Sequence, residues 1–134
     1  PRDGHITYEH EYILLFRKPG QWPGPATSEV KEQSRLTAEQ RSHWFRGVWD
    51  DIPPLRQDGH SAMFPVELPR RLIKMYTFWG ETVLDPFLGS GTTTLAAAQE
   101  GRNSIGYELN RQFEPLMHQK LDTETDVAVE YIYR

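Results

Sequence analysis

The sequence contains no cysteine. That excludes disulfides, thiolate metal sites and cysteine nucleophiles, and it fits a reducing cytoplasm. No apolar run reaches the length of a membrane span, and the opening "PRDGHITYEH" lacks the apolar core of a signal peptide. Internal repeats and low-complexity tracts are also missing. The first residue is Pro rather than Met, which points to a chain processed, trimmed or numbered from inside a longer protein. Strong positive charge is absent too: the net charge is −4, so nucleic-acid binding is not advertised globally. With 134 residues and ordinary proportions of hydrophobic (37%) and charged (25%) residues, the chain suits one globular domain.

Charge is unevenly distributed. Residues 81–134 hold 4 basic against 9 acidic residues, whereas residues 17–46 hold six basic against three acidic. A local basic face is therefore expected within 17–46, with a solvated loop as the plainer alternative.

Residues 5–18, "HITYEHEYILLFRK", are rich in β-branched and aromatic side chains, and "YILLF" reads as a buried strand. Prolines and glycines at 19–25 then break regular structure, and the pattern stays irregular to about residue 59. One helix is expected in "TAEQRSHWFRGV", with Thr37 as N-cap and Gln40 completing a capping box. At 65–79, "PVELPRRLIKMYTFW" predicts an amphipathic helix with Leu68, Leu72, Ile73 and Tyr76 on its apolar stripe. "TVLD" predicts a strand, Thr92 to Gln99 a helix closed by Gly101, and "SIGYE" a second strand. Asn110 is the expected N-cap of a helix carrying Phe113, Leu116, Met117 and Leu121, and "VAVEYIY" the last strand. The resulting β-α-β-α-β order implies a parallel sheet with right-handed crossovers.

In such a sheet, ligands bind beyond the carboxyl ends of the strands. "DPFLGSGTT" lies there. Gly89 and Gly91 allow a sharp turn close to a ligand, and the helix start at Thr92 and Thr93 offers free N–H groups. Glu108, 23 residues after Asp85, is placed to accept hydrogen bonds from a ribose diol. A P-loop would need Lys after Gly91, and a dinucleotide turn prefers glycine where Thr94 stands. Asp85 would repel a pyrophosphate but suits the amino group and sulfonium of S-adenosylmethionine. A glycine turn that merely connects strand and helix, with Glu108 a surface carboxylate, is the plain alternative.

"DPFLGSGTT" followed by "SIGYEL" closely resembles the cofactor motif of DNA amino-methyltransferases acting on adenine N6 or cytosine N4. "HSAMFPVELPRRLI" resembles the segment that these enzymes place before it, an order similar to the circularly permuted beta group. "YEHEYILLFRK" is similar to the strand that precedes the target-recognition region in that group, and "VWDDIPP" to a phrase near that region's end. The resemblance covers most of residues 5–121. It implies an α/β, Rossmann-like S-adenosylmethionine-dependent methyltransferase fold, a partial parallel sheet with helices on both faces. It divides the chain into a core strand (1–18), a target-recognition insert (19–59) and a cofactor-binding β-α-β-α-β portion (60–134). It also implies that Asp85, Pro86, Phe87, Gly89, Ser90 and Gly91 line the methionine end of S-adenosylmethionine. Thr92 would stand near its carboxylate, Glu108 at the ribose, and Leu109 or Tyr107 near the adenine. Phe64 and Pro65 would close the pocket, with His60 at the start of their segment.

Methyl transfer to an exocyclic amine requires a flipped base whose NH₂ is held by acceptors. The family does this with an Asp, Asn or Ser followed by Pro-Pro and an aromatic. No such tetrad is found. In "DDIPPL", Ile52 separates Asp51 from the prolines, and Leu55 replaces the aromatic. The expectation is the C-terminal portion of a longer site-specific methyltransferase of restriction–modification type, inactive alone, with the tetrad on a missing segment or second chain. Double-stranded DNA is the expected partner, and a homodimer is compatible with a recognition region this short. Within that region, Lys31, Arg35, Arg41 and Arg46 are candidates for phosphates or guanines. Trp22, Trp44 and Trp49 are candidates for stacking, with a small satellite core as the alternative. The rival reading is a non-catalytic subunit that binds cofactor or DNA and scaffolds a partner. A weaker third is an RNA or small-molecule methyltransferase.

Overall fold

The structure, a computed structural model, describes residues 10–53 and 63–133. Two short strands, β1 (Thr82–Asp85) and β2 (Asn103–Gly106), pair in parallel with Asp85 opposite Gly106. Parallel neighbours require a crossover, and α4 (Thr92–Gln99) supplies it. Preceding elements are α1 (Ser28–Gln33), α2 (Ala38–Trp44) and α3 (Glu67–Tyr76); α5 (Glu114–Glu124) follows β2. Helix α4 packs on both strands and is itself flanked by α3 and α5. The core is Ile73 of α3 against Ala96 and Ala97 of α4, with Val66 and Val83 at its margin. The alanines in "LAAAQ" are small enough to bring α3 and the sheet close to α4.

The expected α/β arrangement is present, with one feature of coverage to add. Leu84 and Ile105, side by side in the parallel register, are 61% and 52% exposed. Among the described residues, helices cover the Val83 face of the sheet but not the Leu84 face.

Several helix ends follow the local sequence. Thr37 Oγ1 accepts from Gln40 N while Gln40 Oε1 accepts from Thr37 N, completing the capping box. Asn110 caps a short 3-10 turn, Arg111–Phe113, that leads into α5. Gly101 follows α4 at φ +72°, where its N–H bonds to Ala98 and the Arg102 N–H reaches back to Ala97. This is a Schellman ending. Arg102 is then buried, its guanidinium donating to Thr77 Oγ1 at 3.0 Å and to the Thr77 carbonyl at 2.8 Å. The ends of α3 and α4 are joined by that side chain.

Three expectations are corrected. Residues 10–18 form no strand, and Tyr12, Leu14, Leu15 and Phe16 are exposed; residues 5–9 of the expected strand lie outside the described residues. A continuous apolar run needs a neighbouring strand to become one, and none pairs with it among the described residues. Second, "VAVEYIY" forms no strand and is unpaired. Its tyrosines are held by α5 instead: Tyr131 Oη donates to Asp122 at 3.0 Å, and Tyr133 Oη bonds to His118 Nε2 at 3.1 Å. Burial and the Asp122 carboxylate push the Tyr131 hydroxyl up to about 12, so this donor keeps its proton. Third, the buried residues of α3 are Pro69 and Ile73 on one side and Arg71 on the other; Leu68 and Leu72 are half-buried and Tyr76 is exposed. A pairing far along the chain, described below, draws Arg71 inward.

Gly101→Ala is expected to destabilise the chain by about 1–2 kcal/mol from the left-handed backbone alone. A further loss is expected because the new Cβ would lie 2.2 Å from Trp79 ring atoms. Urea denaturation checks this: combining it with Trp79→Ala should recover only the steric part.

Candidate cofactor and target-recognition site

The two carboxylates singled out in the sequence stand at the ends of adjacent strands. Asp85 closes β1, and its Oδ1 accepts from Phe87 N at 3.0 Å, so the carboxylate shapes its own turn. Glu108 follows β2. Its Oε2 accepts from Gly89 N at 2.8 Å and its Oε1 from Asn110 N at 2.6 Å. Tyr107 N donates to the Asp85 carbonyl at 2.9 Å and Leu88 N to the Tyr107 carbonyl at 2.8 Å, so the pairing continues past the strands into the loops. The glycine turn is thereby tied to the end of β2 from two sides. Glu108 retains lone pairs for a ligand, since an ionised carboxylate has about four acceptor sites.

Gly91 adopts φ +82° and is the N-cap of α4, with no side-chain cap. The first N–H groups of α4 are consequently not satisfied by a cap and face the mouth of the turn with the positive end of the helix dipole. A Cβ on Gly91 would meet Leu121 and Met117 of α5 at 3.3 Å. Ser90 and Thr92 are buried at 5% and 7% exposure, and both hydroxyls accept hydrogen bonds from Lys120 of α5. Sequence reasoning did not single out Lys120; its partners are 28 and 30 positions away.

Around this floor the apolar candidates project outward. Phe87 is 86% exposed and Leu109 fully so; Pro86 is also exposed and Phe64 is 39% exposed, with Pro65 half-buried. His60 lies outside the described residues. A cavity of about 440 Å³ opens beneath Glu108 and Leu109, walled by Leu88, Met117, Leu121 and Tyr131.

The second region centres on Arg71. Its guanidinium meets both oxygens of Asp51 at 2.9 and 2.8 Å, and its Nε donates to Glu67 at 2.9 Å. It also lies over the rings of Trp44 (5.8 Å) and Trp49 (5.3 Å), whose Nε1 donates to the Trp44 carbonyl at 2.9 Å. Trp44 is 6% exposed. Here it packs against Arg71, as in the satellite-core alternative, and the arginine and the indoles fasten the insert onto α3. Asp51 is held as a carboxylate by the same arginine, its pKa lowered from 3.8 to about 2. Its oxygens are committed to an ion pair. Pro54 and Leu55 of "DDIPPL" lie outside the described residues.

Lys31, Arg35 and Arg41 line one open groove, together with Phe16, Leu36 and Leu72. Arg46 stands apart, paired with Asp50 at 3.2 Å, and Arg35 pairs with Glu32 at 2.8 Å. Both pairs are exposed and constrain these side chains little.

Parallel strands followed by a glycine turn, with a carboxylate at or after the end of each, are the arrangement beside which α/β folds of this type bind small-molecule cofactors. The chain belongs to the N6/N4 DNA methylase family, whose model matches residues 1–119. It is 41% identical, over its whole length, to the Type II methyltransferase M.MthZI of Methanothermobacter thermautotrophicus and covers 40% of that protein. It is 38% identical, again over its whole length, to M.MjaI of Methanocaldococcus jannaschii and covers 47% of it. Thus the chain spans less than half the length of these relatives. Among solved structures it resembles TTHA0409 of Thermus thermophilus, assigned as a DNA modification methylase, with a TM-score of 0.72 and 44% identity. That match covers 82% of this chain and 43% of the other. The same protein has been solved with S-adenosyl-L-methionine; there the TM-score is 0.71 at 40% identity, covering 91% of this chain and 51% of the other. The fold is accordingly that of S-adenosylmethionine-dependent DNA methylases. Among the described residues, no helix is long and apolar enough to cross a membrane.

The Asp51–Arg71 pair carries a pH dependence. The folded-state pKa is depressed, so its stabilising contribution is complete above about pH 4 and is lost as pH falls through about 2. An acid titration of tryptophan fluorescence should show a transition in that window for the native chain and none for Asp51→Asn. Identical titrations would refute the assignment.

Proposed function

We propose that this chain is the cofactor-holding and target-recognising part of a site-specific DNA amino-methyltransferase of the permuted beta group. Its acceptor is the exocyclic amine, adenine N6 or cytosine N4, of a base flipped from double-stranded DNA. The observation that carries this reading is the floor formed by Asp85, the Gly89–Gly91 turn and Glu108 at adjacent strand ends, in a chain of this family.

The residues present fit S-adenosylmethionine, which supplies a sulfonium methyl group. Asp85 offers a carboxylate for the amino group, and the uncapped start of α4 at Thr92 offers N–H donors for the carboxylate. Glu108 keeps acceptor capacity for the ribose diol, while the cavity below Leu109 and Leu88 suits the adenine. Phe87 and Phe64, with Pro86 and Pro65, are the apolar groups available to exclude water. Residues 1–18, 19–59 and 60–134 serve as core, recognition insert and cofactor portion. Lys31, Arg35 and Arg41 share a groove suited to phosphates, with Arg46 peripheral.

The acceptor side is supplied from elsewhere. Asp51, the acid nearest the Pro53-Pro54 step, is engaged by Arg71, which favours a structural role. The catalytic tetrad is thus assigned to a further segment or a second chain.

Calorimetry with the protein in its full natural length should detect S-adenosylmethionine binding. Asp85→Ala should weaken it at least about tenfold, as expected for a lost hydrogen bond to a charged group. Glu108→Gln, which keeps one acceptor oxygen and the bond to the Gly89 N–H, should cost less than Glu108→Ala, which releases the turn as well. Absence of binding in the native protein refutes the reading.

The chain of residues 1–134 alone, mixed with labelled cofactor and duplex DNA, is expected to transfer no methyl group. Measurable incorporation would return Asp51 to the catalytic site.

A further inference from the structure

Lys120, 28 and 30 positions from its partners, touches the centre of the glycine turn. Its Nζ donates to Ser90 Oγ at 2.7 Å and to Thr92 Oγ1 at 2.8 Å. Both acceptors are buried, and their oxygens are 3.4 Å apart. The same helix supplies Met117 and Leu121, the side chains nearest the missing Cβ of Gly91. Helix α5 therefore clamps residues 90–92 from behind, with one cation at the centre of the clamp.

The placement is costly on ordinary grounds. A positive charge near the start of α4 opposes the helix dipole. Burial also disfavours the ammonium and holds its pKa below the usual lysine value, against the raising influence of Glu124. An apolar side chain would avoid both penalties. What the ammonium does, and an apolar group cannot, is dictate hydroxyl orientation. It has donors and no acceptor, so both hydroxyls must accept from it. Their own protons are then turned elsewhere. One can be shared across the Ser90–Thr92 gap, which leaves the other for an acceptor at the mouth of the turn.

We propose that Lys120 is a positioning residue for the cofactor, acting through the hydroxyls of Ser90 and Thr92 to aim an O–H donor, beside the α4 N–H groups, at the anionic end of the ligand. The inference rests on the S-adenosylmethionine reading above.

The test uses the protein in its full natural length, with duplex DNA and S-adenosylmethionine. Lys120→Met is expected to raise KM for the cofactor about tenfold, as for loss of a charge-assisted hydrogen bond, and to leave kcat at saturation within about twofold. Lys120→Arg, a donor without acceptors, should return KM to within about threefold of native. Ser90→Ala with Thr92→Val should raise KM about as far as Lys120→Met, and adding Lys120→Met should change little more, because both remove one arrangement. A native KM in Lys120→Met overturns the proposal; so does full additivity with the hydroxyl substitutions, or a loss confined to kcat. If Lys120→Met fails to fold by circular dichroism, the hydroxyl pair decides, and unchanged cofactor affinity there overturns the proposal. A native protein that binds no cofactor refutes the underlying reading instead.

Discussion

The parallel register of β1 and β2 is the constraint on which the rest depends. Parallel neighbours cannot be joined by a tight turn, so a helix must cross over between them. That helix needs a sharp entry, which the left-handed Gly91 gives, and a sharp exit, which Gly101 gives. The register also sets Asp85 beside Gly106, so the loops after both strands emerge together. Glu108 then bonds across to Gly89. The cofactor floor is a consequence of chain geometry before any ligand is considered.

Two long-range polar contacts organise the remainder. Lys120 secures the turn from α5, and Arg71 secures the insert from α3. Both are cations withdrawn from water, and each is matched to its partners differently. Arg71 meets a carboxylate in bidentate fashion and lies over two indole rings, an arrangement suited to a planar guanidinium. Lys120 meets neutral hydroxyls, an arrangement suited to a compact ammonium with rotatable donors. Neither cation is explained by the surface chemistry that its residue type ordinarily signals.

The sequence was most legible where local chemistry decides the structure. The glycine turn, the alanine-rich α4 and the Thr37–Gln40 capping box all depend on residues within a few positions of one another, and each stands where the pattern placed it; Asn110 also caps, but a 3-10 turn before α5 rather than α5 itself. Legibility failed where an outcome depends on a distant partner. "YILLF" has strand composition but no paired neighbour among the described residues, and "VAVEYIY" is held by side chains of α5 rather than by a ladder. Trp44 read equally as a stacking surface or a packing residue, because its environment is set by Arg71, far along the chain. The positions of Asp85 and Glu108 were legible because strand ends are predictable; the contact of Lys120 with Ser90 and Thr92 was not, because nothing nearby in sequence marks it.

The fastening of the insert has a consequence for how that segment could be exchanged. Trp44, Trp49 and Asp51 lie at the insert's trailing end and grip a single arginine of the scaffold. A segment grafted in place of this insert would arrive without its anchor unless those three residues travelled with it. The groove holding Lys31, Arg35 and Arg41 lies ahead of them and shares its wall with Leu72 and Tyr76 of α3. One arginine of the scaffold thus fixes where the insert's trailing end must dock, while the groove ahead of it is built jointly by insert and scaffold.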